Sequence, residues 1–129
     1  MASGDLKGEE CIVITVTSGA ATVIGDVVHM ESDGFFDPVT TNDTGTFGVA
    51  LDAAAGAAEN IRVCIWGRVE VKATAAVIAK GALVIAGTTG FVVDAGVIAE
   101  TTVTSTVVGT AVTAFDSSGQ GVIWVGLGA

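Results

Sequence analysis

Short runs of alternating apolar and polar residues, punctuated by glycine, cover almost the whole chain. Such alternation places successive side chains on opposite faces of a strand, leaving one face for a core. CIVITVT (11–17) reads as the first strand, and SGAAT after it leads into a turn. Val23 to Met30 runs through the Gly25-Asp26 turn into a second strand, and Ser32-Asp33-Gly34 forms a hairpin turn with residues that tolerate positive φ. Phe35 to Thr40 returns, with Pro38 marking an edge or irregular strand. Asn42-Asp43-Thr44-Gly45 is the next turn, and FGVAL (47–51) the next strand. In NIRVCIWGRVEVKA (60–73), Ile61, Val63 and Ile65 face one way while Arg62, Cys64 and Trp66 face the other. Gly67 suits a bulge or bend that lets this segment continue as a second strand. ALVIA and GFVVD form a hairpin around Gly87-Thr88-Thr89-Gly90, Thr102 to Ala114 supplies one or two strands, and VIWVGL (122–127) is the last. DAAAGAAEN (52–60) reads as a loop, because Gly56 interrupts its alanines, and ATAAVIAKGA (73–82) as a short helical turn. Residues 1–10 are polar and read as a flexible arm, leaving 11–129 as a single β domain.

The pattern occurs twice. GDVVHMESDGFFD (25–37) returns as GALVIAGTTGFVVD (81–94), with Gly25 on Gly81 and Gly34 on Gly90, both at an offset of 56. GVALDAAAGAAENIRVCIWG (48–67) aligns without a gap to GTAVTAFDSSGQGVIWVGLG (109–128), at an offset of 61. That alignment sets Trp124 on Val63 and predicts a core position for it. Two copies are too few for an open solenoid. The expectation is an all-β domain, a small barrel or sandwich of two similar subdomains (about 25–67 and 81–128) that close on each other. The glycines and apolar positions are what repeat, as in a repeated fold; the polar residues of a duplicated binding site do not.

Composition narrows the function. Half of the 129 residues are apolar, aromatics are only 5%, and 18 glycines stand beside one proline. Branched Val, Ile and Thr favour extended backbone, and glycines supply tight turns. Five basic against fourteen acidic residues give a net charge of −9, which opposes binding to nucleic acid or anionic lipid. Arg62, Arg68 and Lys72 could converge across one hairpin. No apolar run approaches the roughly 20 residues of a membrane span, and the start lacks the form of a signal peptide. The expectation is a soluble chain made in a cytoplasm. Cys11 and Cys64 fall inside strands, as buried small hydrophobes or as a disulfide if those strands are neighbours.

Candidate chemistry is sparse. His29 is the only histidine and lies between Val28 and Met30, as a structural residue would. No Cys/His spacing suggests zinc, and no nucleophile context or phosphate loop occurs. Asp26, Glu31, Asp33, Asp37 and Asp43 form an acidic stretch with oxygen ligands suited to a hard cation, but their spacing matches no calcium loop. Convergence of Asp26, Asp33 and Asp37 in a cleft would favour an acid–base enzyme; otherwise neither enzyme nor cofactor is expected. Trp66 is the candidate interface anchor, or a core residue if both faces of its strand are buried, with Arg62 and Arg68 on the same strand and Lys7 and Glu9 on the arm.

KGEECIVITVTSGAATVIGDVVHMESDGFFDPV, TGTFGVALDAAAGAAENIRVCIWGRVEVKA, AKGALVIAGTTGFVVDAG and VVGTAVTAFDSSGQGVIWVGL together resemble the capsid decoration, or cement, proteins of tailed viruses and prophages. The resemblance implies an all-β protein on the outside of an icosahedral head, commonly a trimer, clamping neighbouring major capsid subunits against packaged DNA. The extra residues around 96–106 depart from that pattern and add a loop. The other class compatible with the chain is a non-catalytic surface module for carbohydrate or another cell-surface ligand. It is disfavoured by the absence of tyrosine and by few aromatics to stack on sugar rings.

Overall fold

The computed structural model describes residues 11–40, 43, 46–73, 78–87, 89–94, 107–116 and 118–126. Among the described residues, nine antiparallel strands follow in order: β1 (Cys11–Thr17), β2 (Val27–Met30), β3 (Phe36–Pro38), β4 (Phe47–Ala50), β5 (Asn60–Lys72), β6 (Leu83–Ala86), β7 (Val92–Asp94), β8 (Val107–Ala111) and β9 (Gln120–Val125). They form one sheet in the order β3-β2-β4-β5-β9-β8-β6-β7, with β1 on β5. The fold is all-β, as expected. The Ala-rich 52–59 segment is a loop, tied down by Glu59, whose Oε2 accepts the Ala55 and Gly56 N–H groups at 3.0 and 3.1 Å. The expected helical turn reduces, within the described residues, to one turn at 79–82 closed by Ala82 N–H on Ala79 C=O.

Strand order reads the same outward from the centre in both halves, and the hydrogen bonds repeat with it. Gly25 N–H donates to Ala50 C=O at 2.9 Å, and Gly81 N–H to Ala111 C=O at 2.8 Å. Glu31 N–H donates to Phe35 C=O as Gly87 N–H does to Phe91 C=O, both at 2.8 Å. Ala54 N–H donates to Thr22 C=O and Phe115 N–H to Ile78 C=O, both at 2.9 Å. The repeat also reaches further upstream than the sequence suggests. β1 pairs with the first part of β5, and the second part of β5 pairs with β9 in the same antiparallel sense. Parallel bridges at Ser18–Phe36 and Ala73–Val92 then bring the ends of each repeat together. Each repeat thus curls into a small barrel, and β5 belongs to both.

Two cores result. Ile14, Val16, Val28, Phe36, Ala50, Ala54, Ile61, Val63 and Ile65 fill the first repeat. The larger core holds Val69, Val71, Val84, Val92, Ala111, Phe115, Ile123 and Val125 of the second repeat, together with Val27, Val49 and Cys64 from the outer side of the first. Equivalent positions trade volume. Where the first repeat has Ala54 beside Ile61, the second has Phe115 packed so closely on Gly121 that a Cβ there would overlap the ring.

β5 changes face part-way. Ile61 and Val63 point into the first core, Val69 and Val71 into the second. The register slips opposite Ile12 and Val13, which pair with Trp66 and Cys64, so Ile65 is the extra residue of a bulge. Gly67, at φ +128°, follows it. Ile12 lies on the Ile14 side of β1, so its partner Trp66 turns to the face of Val63 and away from that of Cys64. This corrects the simple alternation, which grouped Trp66 with Arg62 and Cys64.

Cys11 and Cys64 form a disulfide between β1 and β5, with Cα atoms 5.4 Å apart. Of the two roles open to these cysteines, the structure takes the covalent one. The bond closes a loop with a sequence separation of 53. Removing such a cross-link releases chain entropy in the unfolded state worth up to about 4 kcal/mol. The Cys11→Ala/Cys64→Ala variant is expected to lose about 2–4 kcal/mol, measured by denaturant unfolding under oxidising conditions. Equal stability of variant and parent would contradict this role.

Candidate functional site

The most distinctive surface lies on the outer side of the second repeat. Cross-strand pairing aligns Leu83 with Thr110, Thr110 with Trp124, Trp124 with Arg68, and Trp66 with Ile12. Paired residues of antiparallel strands share a face, so these side chains form one band across β6, β8, β9, β5 and β1. Ile12, Trp66 and Leu83 are 55%, 41% and 38% exposed, and Thr110, Trp124 and Arg68 are half-buried. Trp66 and Trp124 meet edge to face, with ring centroids 4.9 Å apart and planes at 89°. This T-shaped geometry sets the positive edge of one ring on the negative face of the other. The Trp124 indole N–H is buried and has no acceptor among the described residues.

Trp124 was expected in the core, and the reason for its displacement is a single residue. Ala50 pairs with Val63, and its counterpart Ala111 pairs with Ile123, so Ile123 is the equivalent of Val63. The connection before β9 is one residue shorter than that before β5, and the ungapped alignment is therefore one step out in β9. In a strand, one step exchanges the faces. Trp124 corresponds to Cys64, and Trp66 to Cys11. Where the first repeat joins its first and last strands by a disulfide, the second joins them by the tryptophan pair.

The other sequence candidates disperse. Arg62 is on the far stretch of β5, where its Nε and Nη2 bind Asp52 Oδ2 and Oδ1 at 3.0 and 2.9 Å and its backbone N–H donates to Asp52 Oδ2. That fork pins the 52–59 loop and holds the Asp52 carboxyl below its ordinary pKa. Arg62, Arg68 and Lys72 lie along one strand, with Arg62 roughly 20 Å from Arg68 at ordinary strand rise. They do not converge. Lys7 and Glu9 fall outside the described residues.

The acidic stretch also separates. Glu31 and Asp43 approach His29 Nε2 at 2.9 and 3.0 Å, and the imidazole stacks near Phe47. Asp33 caps its own turn through Phe35 N–H. Among the described residues no set of three or more His, Cys, Asp or Glu is arranged to hold a metal ion. Asp26 accepts Val23 N–H at 2.9 Å, and burial raises its carboxyl pKa, partly offset by that bond and by Lys72. A groove of about 240 Å³ lies between the repeats, lined by Ile24, Gly25, Glu70, Val71, Lys72 and Gln120. It is smaller than ordinary small-molecule sites.

No protein-family model matches the chain, and no curated protein does. Among solved structures the chain is similar to the crystal structure of the head fiber gp8.5 N base of bacteriophage phi29. The similarity has a TM-score of 0.61 at 16% identity and covers 88% of this chain and 94% of that one. It therefore spans both repeats and shows a shared fold.

Two measurements check this site. A double-mutant cycle on Trp66→Ala and Trp124→Ala is expected to give a coupling of about 0.5–1.5 kcal/mol; purely additive losses would contradict a direct ring contact. Asp26→Asn is expected to stabilise the fold at neutral pH. The folded protein favours the protonated carboxyl, so the cost of its charge is absent well below the ordinary value of 3.8 and complete above the raised one. The gain should therefore shrink as denaturation is repeated at falling pH. A gain independent of pH would contradict the assignment.

Proposed function

We propose that this chain is a structural protein of a bacteriophage particle, held on the outer capsid surface, where it clamps neighbouring major capsid subunits. The observation that carries this reading is the fold shared, over nearly all of both chains, with the base of a phage head fiber. The resemblance of its segments to decoration proteins points the same way from the sequence. The role is mechanical: it requires an exposed binding face and a rigid body, and it employs neither catalysis nor a cofactor. The shared strand β5, the disulfide and the doubled core provide the rigidity. In this reading the chain works as a homotrimer, with no nucleic acid, membrane or small-molecule ligand as partner. Residues 1–10, including Lys7 and Glu9, contact an adjacent capsid subunit, gaining backbone hydrogen bonds as an added strand does.

Quantitative mass spectrometry of purified particles from the source of this sequence tests the proposal. A copy number comparable with that of the major capsid protein is expected, and absence from complete particles would overturn it. Removal of residues 1–10 is expected to leave the fold intact and to lower binding to undecorated capsids. Normal decoration by the shortened chain would exclude the arm from the contact.

A further inference from the structure

The two repeats meet through unlike surfaces, and each leaves part of the opposite surface open to solvent. In the contact that exists, the outer side of the first repeat (Cys11, Val13, Val27, Val49, Cys64) packs into the core it shares with the second. The turn between β6 and β7 seals one margin of that side. Gly90 C=O accepts Val27 N–H at 2.8 Å, and Gly90 N–H donates to Val39 C=O at 2.9 Å. A Cβ on Gly90 would strike the Asp26 side chain.

The counterparts of both surfaces are exposed in part. The outer side of the second repeat is the band of Trp66, Arg68, Leu83, Thr110 and Trp124, the equivalents of Cys11, Val13, Val27, Val49 and Cys64. The turn of the first repeat, Glu31–Gly34, carries the same backbone hydrogen bond and the same positive-φ glycine as the sealing turn. Yet a Cβ on Gly34 would meet nothing within 4 Å. Its flanks, Met30 and Phe35, are 47% and 38% exposed. Seven large apolar side chains are exposed among the described residues, and five of them (Ile12, Trp66, Leu83, Met30, Phe35) belong to this band or this turn.

We propose that this chain binds a second copy of itself head to tail, the β2–β3 turn of one copy seating on the Trp66–Trp124 band of the next. The contact reproduces between molecules the packing that already joins the two repeats within one. Because its two sides differ, it propagates from copy to copy and closes into a ring or runs as a filament according to the rotation between copies. It deepens the self-association in the reading above by naming the surfaces.

Sedimentation velocity of the full chain at tens of micromolar, with Trp66→Asp for the band and Phe35→Asp for the turn, tests it. Leu83→Asp and Met30→Asp serve as a second, equally exposed pair, and far-UV circular dichroism reports the fold of each. The parent is expected to sediment as an oligomer and each variant as a monomer. Mixing a band variant with a turn variant should restore one contact and stop at a 1:1 dimer. A monomeric parent overturns the proposal, and so does a mixture of folded variants that yields no dimer. Variants that stay fully assembled also overturn it, while leaving self-association through another surface intact. Capsid binding by the same proteins, measured separately, shows whether the virion reading stands.

Discussion

The structure depends on one strand serving two barrels. β5 ends the first repeat and begins the second, so neither can close without it. A regular strand would send the same side to a single core along its whole length. The bulge at Ile65 and the left-handed backbone at Gly67 let β5 give Ile61 and Val63 to one core and Val69 and Val71 to the other. The two barrels are consequently built into one body, and the positions of Trp66 and Arg68 follow from that change of face.

The two repeats share one frame and differ in the chemistry that secures it. The first repeat secures its opening and closing strands with Cys11, which is partly buried, and Cys64, which is fully buried. The second places Trp66 and Trp124 at those positions, on a side that faces solvent. A disulfide fixes strands without offering surface. An aromatic pair fixes them and also presents a large, rigid apolar area, the kind of anchor that protein contacts favour.

The strands and turns were legible because their signals are local. CIVITVT is β1 residue for residue, Ser32-Asp33-Gly34 is a turn, and Pro38 lies in a strand at one end of the sheet path. The duplication was legible through its glycines, since Gly25, Gly34, Gly81 and Gly90 all hold positive φ that other residues adopt at a cost. Face assignments in β5 and β9 were not, because Gly67 marks a bend without saying which residue is extra, and a one-residue shortening leaves no mark on composition. The exchange of Ala54 and Ile61 for Phe115 and Gly121 hid the shortening further, since core volume is conserved across the pair and residue identity is not. Trp66 was a candidate anchor from the sequence but on a face that the bulge exchanges, and its partner Trp124 required the true register. Whether Cys11 and Cys64 join depended on the adjacency of β1 and β5, a long-range fact.

A cryo-electron reconstruction of the intact particle, at a resolution that separates strands, tests the whole account most directly. Two-barrel density is expected on the outer capsid surface, with the Trp66–Trp124 band of each copy covered by the β2–β3 turn of its neighbour. Particles without such density, or copies whose band faces open solvent, would contradict it.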